Sequence, residues 1–334
     1  MKTNLDELLE GRRLSVAGAR ALMHDALSEP INAPRVAAML TALRVRGVTV
    51  DELEGFSQAL MDLATPLTLE ADEIIDVCGT GGDSKGTFNI STATAFTLAA
   101  AGYKVAKHGN YAVSSTCGSS NVLEALGIQL VADQDALRKR LTTANVCFLH
   151  APLFHPAMKR VAPVRKELGF RTVFNMLGPL VNPAKPTVQV NGVYDRELLR
   201  LYGYLLRRRG KRFAAFCTAD GYDEVTLTAP VLVATHQGEF ELTPADFGLD
   251  PCDPEDLKAG QTTEASALIL KNILQGKGTR PQESVVAASA GLVMWVRKGE
   301  GSLSEHVRRA REVLKSGEAA NVLARSVEEI CKTY

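Results

Sequence analysis

The sequence predicts an α/β protein with a mostly parallel central sheet, entered through a helical region and followed by C-terminal helices. Three observations carry this. Short apolar runs at 74–78, 103–107 and 146–150 alternate with helical segments, the pattern of parallel strands joined by right-handed crossovers. Residues 1 to about 65 carry helix signals and no strand-like run. From about Thr262 the chain reads as helix again, over 263–275, 281–297, 302–316 and 320–332.

Taken in order, Ser15 and Asn32-Ala33-Pro34 look like helix starts, because a short polar side chain can accept an orphan N–H and proline suits the first turn. A further segment runs from Val50 to about Leu63, and Pro66 ends the region. The first strand, Ile74 to Cys78, leads into Gly79-Thr80-Gly81-Gly82-Asp83 and then into a helix opened by Thr87-Phe88-Asn89-Ile90-Ser91-Thr92. The second, Tyr103 to Lys107, leads through His108-Gly109 and Asn110 to Ser120, with hydroxyls at Ser114, Ser115, Thr116, Ser119 and Ser120. A helix from Val122 to Leu126 follows, with Gly127 as its stop. The third strand precedes His155-Pro156 and a helix over Ala157 to Leu168. Strands are expected again at 188–194 and 213–217, with Asp195 capping the helix between them, and an antiparallel ribbon turns at Gln237-Gly238.

The chain has 334 residues with 46% hydrophobic content, enough for a large core and two structural units. Lys plus Arg and Asp plus Glu both total 38, so the net charge is zero, which argues against a nucleic-acid partner. The basic cluster Arg207-Arg208-Arg209 with Lys211 and Arg212 suits a solvated helix end. Six cysteines are scattered without C-x-x-C spacing and read as reduced small hydrophobes. The start of the chain has no apolar signal core and no run approaches membrane-spanning length, so a soluble cytoplasmic protein is expected.

A strand, a Gly/Ser loop and a helix start together favour phosphate: glycine lets backbone N–H groups approach an anion, and the helix start adds unpaired donors and a positive dipole end. Finding this twice within about fifty residues suggests an extended anionic ligand or one with two phosphate groups. Either loop alone also fits an ordinary βα turn. Asp223-Glu224 follows a strand at the carboxyl edge where parallel sheets bind ligands, and paired carboxylates near phosphate loops suit Mg²⁺; a solvated acidic turn is the other reading. His108 and His155 each follow an apolar strand and could line one crevice or serve the core. Arg165 could fork onto a carboxylate or lie on the surface. Two other phosphate motifs fail. Lys85 lacks P-loop spacing, and from Gly79 the third glycine of a dinucleotide fingerprint is replaced by Ser84.

The segments Gly79-Thr80-Gly81-Gly82-Asp83, Thr87 to Thr92, Lys107-His108-Gly109-Asn110, His155-Pro156-Ala157-Met158-Lys159, Val164-Arg165 to Phe174-Asn175, Leu177 to Pro183 and Asp223-Glu224 together resemble the anthranilate phosphoribosyltransferases. The resemblance implies transfer of a phosphoribosyl group from phosphoribosyl pyrophosphate to anthranilate in tryptophan biosynthesis, with Mg²⁺. It implies a helical domain of residues 1–70, to which 157–186 return, and an α/β domain of 71–156 and 187–334, like nucleoside phosphorylases. It also implies a homodimer with its active site between the domains. Carried over, Gly79, Gly82, Asp83, Thr87, Asn89, Ile90, Ser91, Thr92, Lys107, Ser115 and Ser119 hold phosphoribosyl pyrophosphate. Ser91, Asp223 and Glu224 hold metal; Gly79, Asn110, His155 and Arg165 meet anthranilate, with His108 beside Asn110 and Arg165 in orienting it and no residue acting as general base. The sequence departs from the family pattern at Tyr111 for arginine, Thr116 for lysine, Asn121 for aspartate and Ala287 for asparagine. A transferase or nucleoside phosphorylase with another acceptor, and a non-catalytic nucleotide- or nucleic-acid-binding relative, are the alternatives.

Overall fold

A computed structural model describes residues 3–111 and 117–328. Ser114, Ser115 and Thr116 lie outside the described residues, as does Cys331. The chain divides into two compact units, one of Met1–Leu67 with Ala151–Pro183, the other of Thr68–His150 with Ala184–Tyr334.

The first unit is helical. Its helices Asn4–Leu9, Val16–Leu27, Ala33–Arg46 and Val50–Asp62 start at Thr3, Ser15, Asn32 and Thr49, and each of these side chains accepts a backbone N–H three residues on. Gly55 lets two helices cross closely, since a Cβ there would stand 2.3 Å from the Val16 carbonyl oxygen. Glu52 is fully buried yet well partnered: it accepts the Leu14 N–H at 2.9 Å and the Arg46 guanidinium at 2.7 Å. The single helix expected over Ala157 to Leu168 is instead two, Pro156–Arg160 and Ala162–Leu168, which meet at Val161. Pro163 accounts for the break, because it has no N–H to continue the first helix and fits the first turn of the second.

The second unit is built on a seven-stranded sheet: β1 Ile75–Val77, β2 Val105–Gly109, β3 Val146–His150, β4 Val188–Gly192, β5 Arg212–Thr218, β6 Val231–Thr235 and β7 Glu239–Leu242. The strand order is β3-β2-β1-β4-β5-β6-β7. Pairing is parallel from β3 to β5 and antiparallel from β5 to β7. β1 and β3 are buried along their whole length, as strands covered on both faces must be. The edge strand β7 alternates, with Glu239 and Glu241 outward, which discourages further pairing.

The core joins the sheet to helices Ile90–Ala100, Thr263–Leu274, Arg280–Lys298 and Leu303–Lys315. The last described helix is Glu318–Glu328, beginning slightly before the expected segment. Asp195 caps the helix Arg196–Arg208 through the Leu198 N–H at 2.8 Å, and Gly127 adopts φ +87° just past the helix Ser119–Ala125. Among the described residues no helix is long and apolar enough to cross a membrane.

One feature of this topology positions the site. From β1 the chain proceeds outward to β2 and β3, then returns to the other side of β1 for β4 and β5. The strand order therefore reverses between β1 and β4, and ligands bind at such a switch point beyond the carboxyl ends of the strands.

Candidate active site

Loop 1 leaves β1 at that switch point. Gly81, Gly82 and Gly86 have φ of +65°, +83° and +70°, and Ser84 joins them at +60°. Backbone in this region exposes successive N–H groups in a concave arrangement that suits anions. The helix Ile90–Ala100 then begins at Asn89, whose side chain does not cap it; its amide reaches the Cys117 carbonyl instead, at 3.4 Å. Thr87 bridges to Lys258 through backbone, and the Phe88 N–H bonds the Leu257 carbonyl at 2.9 Å. Ile90 and Thr92 are fully buried at the helix start.

Asp223 and Glu224 come from the segment after β5 and grip loop 1 from behind. Gly81 N–H donates to Asp223 Oδ2 at 2.6 Å, and Ser91 N–H donates to Glu224 Oε1 at 3.2 Å. Two glycines make room for this. A Cβ on Gly79 would stand 2.9 Å from Asp223 Oδ2, and one on Gly192, at the end of β4, would stand 1.7 Å from the Asp223 carbonyl oxygen. Lys107 is buried, and its ammonium reaches the Val77 carbonyl and Ser91 Oγ, the latter at 3.2 Å. It therefore supports loop 1 from the neighbouring strand. Asp83 Oδ1 accepts the Lys85 N–H at 3.1 Å, and the Lys85 ammonium lies 4.8 Å from the centre of the Tyr222 ring.

Burial raises the Asp223 carboxyl well above its ordinary range, and the charges of Asp83 and Glu224 push the same way. Burial lifts Glu224 to about 7, opposed by the Lys107 charge and by hydrogen bonds from Ser91. Three carboxyl groups crowded in this way favour a cation. Their hard oxygens fit Mg²⁺. Among the described residues no three or more His, Cys, Asp or Glu side chains form a metal cage of their own, so an ion on this pair would complete its shell with phosphate and water oxygens.

Loop 2 leaves β2, the strand beside β1. A Cβ on Gly109 would stand 2.5 Å from Ser119 Oγ, so glycine lets the loop close on itself. The Asn110 carbonyl accepts from Ser120 N–H at 3.2 Å and from Ser119 Oγ at 3.3 Å. Asn121 reaches back to the Gly118 N–H at 3.1 Å, the reach an aspartate would have, without placing a negative charge at the helix start. Tyr111 donates to Glu124 Oε1 at 3.0 Å and packs edge-on against His150, whose Nδ1 lies 2.8 Å from Ser120 Oγ. His108 is buried, with its N–H on Asp76 Oδ1 at 3.2 Å.

Gly79, Gly82, Asp83, Thr87, Asn89, Ile90, Ser91, Thr92, Lys107, His108, Asn110, Ser119, Asp223 and Glu224 all belong to the α/β unit, and the contacts above join Gly79, Ser91, Lys107, Asp223 and Glu224 directly. His155 and Arg165 belong to the helical unit. His155 is buried with Nε2 on the Val181 carbonyl at 2.8 Å, and burial lowers its pKa. The Arg165 guanidinium lies 5.1 Å from the centre of the Phe174 ring, and burial lowers its pKa as well.

Sequence reasoning missed Gly192, Gly81 as a direct partner of Asp223, and Asp76. A glycine closing the strand Val188–Gly192 was the available signal for Gly192, since it marks a close backbone approach.

Comparison with known proteins gives a consistent answer. Residues 71–320 match the family model described as glycosyl transferase family, a/b domain, and residues 2–64 match the glycosyl transferase family, helical bundle domain. The chain is 47% identical over 328 residues to an anthranilate phosphoribosyltransferase of Cytophaga hutchinsonii, covering 98% of this chain and 100% of that one. A crystal structure of anthranilate phosphoribosyltransferase from Thermus thermophilus superposes with a TM-score of 0.94 at 38% identity, covering 99% and 100% of the two chains. The enzyme from Saccharomyces cerevisiae in complex with phosphoribosyl pyrophosphate and Mg superposes at 0.89 with 28% identity, covering 98% and 96%.

Proposed function

The chain belongs to the anthranilate phosphoribosyltransferase family, and from that premise we propose that it transfers the 5-phosphoribosyl group of phosphoribosyl pyrophosphate to the amine of anthranilate. The products are N-(5-phosphoribosyl)anthranilate and pyrophosphate, in tryptophan biosynthesis. One observation carries the reading: the N–H groups of Gly81, in the glycine-rich loop at the sheet's switch point, and of Ser91, at the helix start beyond it, are tied to two adjacent carboxylates with raised pKa.

The chemistry fits that arrangement. An aryl amine is neutral near pH 7 and attacks the ribose C1 through its lone pair as the bond from C1 to pyrophosphate breaks. Once the new C–N bond forms, the acidic N–H proton of the cationic nitrogen leaves to solvent, so no general base is needed. Departure of pyrophosphate is the demanding part, and it is met by donors fixed in place before reaction. Gly79, Gly82, Asp83, Thr87, Asn89, Ile90, Ser91 and Thr92 would frame phosphoribosyl pyrophosphate in loop 1, with Lys107 behind them, and Ser119 would meet it from loop 2, joined by Ser115. Ser91, Asp223 and Glu224 would hold Mg²⁺, which when bound neutralises charge on the departing pyrophosphate. Asn110 and Gly79 would orient anthranilate, with His108 close to Asn110 along the chain. Arg165 would pair with its carboxylate and His155 would line its path. A homodimer and a cytoplasmic location belong to the same reading.

Pyrophosphate release tests it. Turnover should require phosphoribosyl pyrophosphate, anthranilate and Mg²⁺ together; release without anthranilate, or none with all three, would contradict the assignment.

A further inference from the structure

The helix Arg280–Lys298 crosses the core as a run of small buried residues, Ala287, Ala288 and Ala290 among them, all fully buried. Ser289 interrupts that run. It is 6% exposed, and its hydroxyl oxygen is buried without a hydrogen-bond partner. An isolated buried hydroxyl is unfavourable, and alanine would serve packing there as well. Ser289 lines a pocket together with Ser91, Thr94, Asp223 and Glu224, and this pocket has about 20 Å³ of room for the centre of a water molecule. Val77, Val190, Phe216 and Val293 line it too, so the pocket is largely apolar, but it offers a water several polar partners and its room exceeds the about 10–15 Å³ that one water needs. Thr94 Oγ1 spends its own proton on the Ile90 carbonyl at 2.9 Å, so it can accept one. A water in this pocket can therefore accept from Ser289 and donate to both Thr94 and the Glu224 carboxylate.

We propose that Ser289 is a positioning residue: through one buried water it fixes the Glu224 carboxylate in the orientation in which that group meets the metal. The proposal rests on the reading of Glu224 as a metal ligand. Residues behind a ligand commonly set metal affinity by holding it in one rotamer.

Mn²⁺ binding, followed by electron paramagnetic resonance with phosphoribosyl pyrophosphate present, separates the two claims when Ser289→Ala and Glu224→Gln are compared with the unaltered chain. Ser289→Ala should weaken Mn²⁺ by about 10–100-fold. It should also raise the KM for phosphoribosyl pyrophosphate more than it lowers kcat. Glu224→Gln should abolish tight binding. Should Ser289→Ala instead bind Mn²⁺ like the unaltered chain while its melting temperature rises, the hydroxyl is merely a packing defect and the proposal fails alone. Retention of Mn²⁺ by Glu224→Gln would overturn both the ligand assignment and the inference built on it.

Discussion

The two glycine- and serine-rich loops look alike in sequence and differ in what they are tied to. Loop 1 and the helix it opens each have an N–H on a carboxylate, Gly81 on Asp223 and Ser91 on Glu224. Loop 2 is held by neutral partners, the Asn110 carbonyl and the Asn121 side chain, and its nearby acid, Glu124, is engaged by Tyr111. An anion approaching loop 1 meets negative charge unless a cation intervenes. Among the described residues of loop 2, Ser119 Oγ and the Gly118 N–H have only neutral partners. The lesson is that one local motif can be tied in two ways, and the carboxylates that set loop 1 apart lie more than a hundred positions away in the sequence.

This difference can be broken by substitution in order of effect. Asp223→Asn with Glu224→Gln should cost about 10³-fold or more in kcat/KM, the scale on which fixed electrostatic stabilisation is lost. Ser119→Ala in loop 2 should cost about tenfold, as for one hydrogen bond to a charged group, and chiefly in KM for phosphoribosyl pyrophosphate. His108→Ala, compared per folded enzyme, should stay within about threefold, because the reaction needs no strong base. Steady-state kinetics with varied Mg²⁺ check all three, and a loss at His108 equal to that at the acid pair would contradict the scheme.

Glu224 is raised from 4.5 to about 7, and Asp223 is raised too, so the folded state holds more protons than the unfolded chain between those values. Without Mg²⁺, stability should fall as pH climbs from about 4.5 through 7. Glu224→Gln should flatten that fall and melt a few degrees higher at pH 8, at roughly 2–4 °C per kcal/mol. Mg²⁺ should restore the unaltered protein and leave the variant unmoved. Melting curves over pH with and without Mg²⁺ read this directly.

Much of the fold was legible because its signals are local. Alternation of short apolar runs with helices gave the parallel sheet, Asp195 and Ser15 gave helix starts, and the Gln237-Gly238 turn gave the antiparallel ribbon. The break at Val161 was missed because the apolar pattern runs through it while Pro163 acts only on the backbone. Both loops and the acid pair were visible as motifs. Their coupling was not, since Gly81 and Asp223 are brought together by strand order, which no window of sequence contains. Gly192 shows the same limit: its need for a missing side chain comes from the Asp223 backbone, which reaches it only in the folded sheet.

The most direct test is a crystal structure of the protein soaked with phosphoribosyl pyrophosphate and Mg²⁺. The diphosphate should lie against loop 1, with the ion on Asp223 and Glu224 bridging to ligand oxygens and the Gly81 and Ser91 N–H groups still on those carboxylates. A ligand bound elsewhere, or one on loop 1 with the carboxylates bare of metal, would contradict the account.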